Sequence, residues 1–140
     1  MAVDAVTTQV ILDGERLYIA KFTNISGGNG ETAVTKIDVS TLAKDSNGHA
    51  CNGVKINKIW AQTYGMAVDI LWEADTDMIA DTVPADIMYK MCFSEFGGIP
   101  NNADTGKTGN VAFTTIGATA GDRYTIVLEC IKTYALPTTY

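Results

Sequence analysis

Few residues of this 140-residue chain have types and spacings suited to chemistry. Gly106-Lys107-Thr108 matches the tail of a phosphate-binding loop, in which backbone N–H groups at the start of a helix cradle phosphate. That loop requires a glycine where this chain has Asn101, and a helix where Gly109-Asn110-Val111-Ala112-Phe113-Thr114-Thr115 reads as turn and strand. Lys107 is therefore expected to be a polar loop residue, not a nucleotide ligand. Asp75-Thr76-Asp77, with Asp81 and Asp86 beyond, supplies the hard oxygen donors that calcium takes. A hand-type loop starting at Asp75 would put Ile79 fifth, Ala80 sixth and Asp86 twelfth, where an oxygen donor, a glycine and a glutamate belong. The regular motif fails, and only an irregular calcium site around residues 75–81 stays open.

Nucleophilic hydrolysis needs a base beside a nucleophile. The one histidine, His49, lies in a loop composition, Asp45-Ser46-Asn47-Gly48-His49, and no G-x-S-x-G elbow occurs. The acidic residues are scattered over strands, and their spacing pairs none of them for two-carboxylate chemistry. Cys51, Cys92 and Cys130 are odd in number and form no C-x-x-C, which argues against a disulfide framework or a thiolate metal site. Cys92 and Cys130 fall in apolar strand patterns, where a reduced thiol acts as a small hydrophobe. Asn24-Ile25-Ser26 fits a glycosylation sequon, but the opening Met1-Ala2-Val3-Asp4 gives no sign of a secretory leader. Trp60 and Trp72 are expected to face inward among aliphatic neighbours rather than to form a sugar-stacking platform. No catalytic residue, cofactor or metal ligand is assigned, and the chain is expected not to be an enzyme.

The elements that would position these residues are strands. Met66, Val68, Ile70 and Trp72 alternate with Ala67, Asp69, Leu71 and Glu73; Tyr124, Ile126, Leu128 and Cys130 alternate in the same way. A period of two puts one apolar face inward. The second of these strands has apolar residues on both sides and is expected to be central and covered on both faces. Val54 and Ile56 open another strand whose apolar set slips to Ile59, which predicts a bulge near Asn57-Lys58. Further strands are expected over residues 16–25, 32–39, 87–93 and 111–116, with residues 1–12 as an N-terminal arm or edge strand whose short strand covers residues 7–12. Asp13-Gly14 is the best hairpin turn, and Gly27-Gly28-Asn29-Gly30 a longer one. Residues 74–85 read least clearly and are assigned one helical turn. Eight strands with such turn spacing predict an all-β antiparallel β-sandwich, jelly-roll-like, with long polar loops, in one domain over residues 1–140.

Ten Lys+Arg against sixteen Asp+Glu give a net charge of −6. A chain this acidic is repelled by phosphate backbones and anionic lipid, so neither nucleic acid nor membrane is an expected partner. No apolar run reaches the ~18 residues of a membrane span.

Three stretches carry a resemblance: Phe22-Thr23-Asn24-Ile25-Ser26-Gly27-Gly28-Asn29-Gly30-Glu31-Thr32; Ile59-Trp60 with Gly65-Met66-Ala67-Val68-Asp69-Ile70-Leu71-Trp72; and Thr114-Thr115 with Gly121-Asp122-Arg123-Tyr124-Thr125-Ile126-Val127-Leu128. With them the chain resembles the head decoration, or cement, proteins of tailed bacteriophages. The resemblance implies a non-enzymatic virion protein, made in the host cytoplasm, that binds the outer capsid surface and stabilises the head. Its implied partners are the major capsid protein and further copies of itself, as a homotrimer. Val10, Ile11 and Leu12, in a short apolar segment whose nearest charge is Asp13, are the candidate oligomer or capsid contact. The alternative is a carbohydrate-binding or tail- or fibre-associated β-sandwich, for which Tyr64, Tyr89 or Tyr134 would supply exposed aromatics.

Overall fold

The computed structural model describes residues 3–134. The first two residues of the expected N-terminal arm lie outside them. Nine strands run in chain order: β1 (Ala5–Asp13), β2 (Leu17–Ile25), β3 (Val34–Ile37), β4 (Cys51–Tyr64), β5 (Ala67–Trp72), β6 (Met78–Val83), β7 (Met88–Cys92), β8 (Val111–Ile116) and β9 (Arg123–Tyr134). They form two antiparallel sheets, β1-β2-β9-β4-β7 and β3-β8-β5-β6. Leaving β1 aside, the orders 2-9-4-7 and 3-8-5-6 are those of a jelly roll, two Greek keys wound together. The expected sandwich and its jelly-roll arrangement are both present.

Alternation builds the core. Tyr18, Ala20, Phe22 and Asn24 of β2 pair in register with Cys130, Leu128, Ile126 and Tyr124 of β9, and all eight are buried. Val68, Ile70 and Trp72 face them from the other sheet with Val111 and Phe113. Phe22 and Tyr124 both meet Phe113 edge to face, at 5.4 and 5.8 Å between ring centroids.

The predicted bulge lies at Asn57, between the pairs Ile56–Cys130 and Lys58–Glu129. One inserted residue exchanges the two faces of everything beyond it. Ile59 and Ala61 therefore point inward, and Trp60 faces outward, half-exposed, against the inward placement expected for it. Residues 74–85 hold strand β6 rather than a helical turn. A register slip in β6, opposite Ile70 and Leu71, interrupts its alternation and hides the strand from a period-two reading. Strand β9 is central in its sheet, but its outer side is open: Thr125 is exposed and Val127, Glu129 and Ile131 are half-buried. The expectation that both its faces are covered is corrected.

Candidate interaction surface

The residues singled out for chemistry are dispersed. Gly106-Lys107-Thr108 lies in a turn closed by Lys107 N–H donating to Asp104 C=O, and strand β8 follows, with no helix. Gly106 has φ of +78° and no room for a Cβ, because the Asp75 carboxylate packs onto its Cα. Asp75 thus covers this loop, Asp77 accepts from Ala74 N–H at 3.0 Å, Asp81 accepts from the Tyr89 hydroxyl at 2.7 Å, and Asp86 accepts from Gly65 N–H at 2.7 Å. These carboxylates serve separate local contacts. Among the described residues no three His, Cys, Asp or Glu side chains gather in a metal-holding group.

His49 Nδ1 lies 2.8 Å from Asp45 Oδ2, and Asp45 Oδ1 also accepts the backbone N–H of Asn47 and His49. The pair organises its own turn. The burial of Asp45 pushes its carboxyl up, and the His49 and Asn47 hydrogen bonds outweigh this and hold it below the ordinary value. The three cysteines are free thiols. Cys51 and Cys130 are buried, and burial pushes both thiols up. Cys92, expected to pack as a hydrophobe, is instead exposed on the outer side of β7, 3.0 Å from Ser94 Oγ, and that hydrogen bond lowers its thiol.

One end of the sandwich is built from polar groups. Glu31 is buried and accepts from Asn24 Nδ2 at 2.8 Å and from the Tyr124 hydroxyl at 2.7 Å, both at Oε1. Lys36 Nζ reaches its other oxygen at 2.5 Å, with the lysine side chain 6% exposed. Asn24 Nδ2 also donates to Asp4, at 2.9 Å. Asp4 in turn receives Gly27 and Gly30 N–H at 3.1 and 3.0 Å. Burial pushes the Asp4 carboxyl up, but these donors and Ser26 outweigh it and hold it below the usual range. The Gly27–Gly30 turn is thereby folded around the carboxylate that precedes β1. At the opposite end of β1, buried Lys132 pairs with Asp13 and donates to Ala43 C=O at 3.1 Å. Both ends of β1 are pinned through carboxylates.

Between those anchors β1 is open among the described residues. It pairs with β2 on one side only. Its sheet has five strands and the facing sheet four, and among the described residues the substantial contacts of β1 are with β2. Val6 and Val10 share the inward side with buried Asn24 and Ala20, yet both are exposed. Val10, Ile11 and Leu12 are 52%, 54% and 44% exposed, and the register slips between Val10 and Leu12, which makes Ile11 a bulge residue. From Ala5 to Leu12 the strand has no charge and no proline. The tyrosines proposed for a sugar platform do not converge: Tyr89 bonds to Asp81, Tyr134 donates to Glu15 C=O, and Tyr64 alone is open, at 65% exposed.

The sequence reading missed the buried cations Lys36 and Lys132. Lys132 carried a signal, since it continues the inward series Tyr124, Ile126, Leu128, Cys130. Lys36 had none, because a register shift in β3 displaces it. No helix is long and apolar enough to cross a membrane among the described residues. Compared with protein-family models, with curated proteins and with solved structures, the chain gives no match.

Proposed function

We propose that this chain is a non-enzymatic structural protein of a virion, a capsid decoration or cement protein. It binds the outer surface of an icosahedral phage head, joins copies of itself into a trimer, and ties neighbouring subunits of the major capsid protein together. The observation that carries the reading is the state of β1. An edge strand with free N–H and C=O groups invites pairing with another chain, and stable monomers blunt such edges with charge, proline or a cover. Here a nine-residue edge has neither charge nor proline before Asp13, only one bulge, and an inward side that none of the described residues covers. Each backbone bond made along it adds about 0.5–1.5 kcal/mol, and burying Val6, Val10 and Leu12 adds to that.

Anchoring by Asp4 and Asp13 keeps the edge in one conformation before it meets a partner, which lowers the ordering cost of binding. A trimer engaging three lattice sites gains from effective concentration, so each contact can be weak. The threefold number and the capsid partner rest on the resemblance to decoration proteins; the tendency to associate rests on β1. Mass spectrometry of the purified particle tests the assignment by copy number against the major capsid protein. Hundreds of copies per particle agree with decoration of the head; a dozen or fewer would overturn it in favour of the tail or portal.

A further inference from the structure

The outer face of the five-stranded sheet differs in charge from the rest of this acidic chain. Register and alternation bring Lys21, Lys55, Lys58, Lys90 and Arg123 to that face, half of the ten basic residues. The one carboxylate among its outward strand positions is Glu129, which already accepts from Asn57 Nδ2 at 2.8 Å and lies 3.9 Å from Lys58 Nζ. The outer face of the four-stranded sheet has the opposite sign, with Asp69 in β5, Glu73 just beyond it and no exposed Lys or Arg in its strands. A sheet face this basic on a chain of net charge −6 is complementary to an anion.

The centre of the basic face is shaped. Trp60, Gln62 and Tyr64 follow one another along the outer side of β4, and the strand rise sets the Cα atoms of Trp60 and Tyr64 about 13 Å apart. Val127 and Thr125 of β9 lie beside Trp60 and Gln62. Two hollows of about 460 and 260 Å³ share Gln62 and Thr125 and form one trough. The larger reaches Tyr64 and Arg123, the smaller Trp60 and Met88.

We propose that this trough binds an acidic polysaccharide, a chain of carboxylate-bearing pyranose rings. The apolar C–H faces of sugars pack on Trp60 and Tyr64, the Gln62 amide and Thr125 hydroxyl bond to ring hydroxyls between them, and Lys21, Lys90 and Arg123 meet the carboxylates. Two adjoining shallow hollows, one lined by Trp60 and the other by Tyr64, suit an extended polymer. The net negative charge disfavours the denser phosphate line of a nucleic acid. The trough is built on β4 and β9 with Lys21 of β2 at its side and uses no residue of β1, so this site stands whether or not the capsid assignment does.

Native gel electrophoresis of the full chain through polygalacturonate, neutral dextran, polyglutamate or single-stranded DNA tests the proposal. Polygalacturonate retards the protein most, and less as salt rises. Trp60→Ala weakens that retardation by about tenfold, the loss expected on truncating an aromatic anchor. Tyr64→Ala, at a position too exposed to affect folding, weakens it in the same direction, and Lys21→Glu with Lys90→Glu abolishes it. No retardation, equal retardation by dextran, equal retardation by polyglutamate, stronger retardation by DNA, or indifference to Tyr64→Ala would each overturn it.

Discussion

Replacing Lys36 by methionine tests whether the polar end of the sandwich is held as a desolvated ion pair. Lys36 and Glu31 are 6% and 5% exposed and 2.5 Å apart, and the Lys36 ammonium lies 5.9 Å from the centre of the Phe113 ring. Methionine keeps the length of the aliphatic stem and removes only the charge, so the cost falls on Glu31. Its carboxylate keeps two neutral donors, Asn24 and Tyr124, and loses its cation. Breaking one side of a buried pair costs about 3–5 kcal/mol. Glu31→Gln strands the ammonium instead and costs a similar amount. The double variant leaves no charge unpaired, and replacing a whole buried pair by neutral groups is close to neutral, so it should fall within about 2 kcal/mol of wild type. Urea unfolding of the four proteins gives the cycle directly. A loss below about 1 kcal/mol for Lys36→Met, the range of solvated surface pairs, would refute the reasoning, as would additive single and double variants.

Trp72→Ala should cost about 3–5 kcal/mol in the same assay, and Trp72→Phe much less, because phenylalanine also removes a buried indole N–H that has no partner. In the folded protein Cys92 alone should react with a disulfide reagent, with Cys51 and Cys130 reacting only on unfolding, and reductant should leave the melting curve unchanged. Burial and the hydrogen bond to Asp81 push the Tyr89 hydroxyl up to about 12. Its stabilising effect is complete below the unfolded value near pH 10 and is lost as pH rises towards 12, so Tyr89→Phe should flatten the alkaline fall of stability over that window.

Much of the fold was legible because inward and outward residues alternate cleanly. Eight of the nine strands and the Asn57 bulge follow from that period, as does the Asp13-Gly14 hairpin, in which Gly14 N–H donates to Leu17 C=O at 2.9 Å. The failures have physical sources. Strand β6 escaped because its slip opposite Ile70 and Leu71 breaks the alternation. Trp60 departs from the simple alternation because every side chain beyond the Asn57 bulge changes face. Of the candidate contact surface, Val10, Ile11 and Leu12 were visible as an uncharged apolar run. The anchoring of β1 by Asp4 and Asp13 was not, because both depend on partners far along the chain, at Gly27, Gly30 and Lys132.

The central claim is that β1 is an assembly edge, and the mass of the purified protein in solution tests it most directly. Light scattering at tens of micromolar should give three times the 15.0 kDa chain mass. Val10→Lys, which places a charge on the exposed edge without entering the core, should return the protein to the mass of one chain with its melting midpoint close to that of the dissociated wild type. A wild-type protein that stays at 15.0 kDa, or a Val10→Lys variant that still assembles, would contradict it.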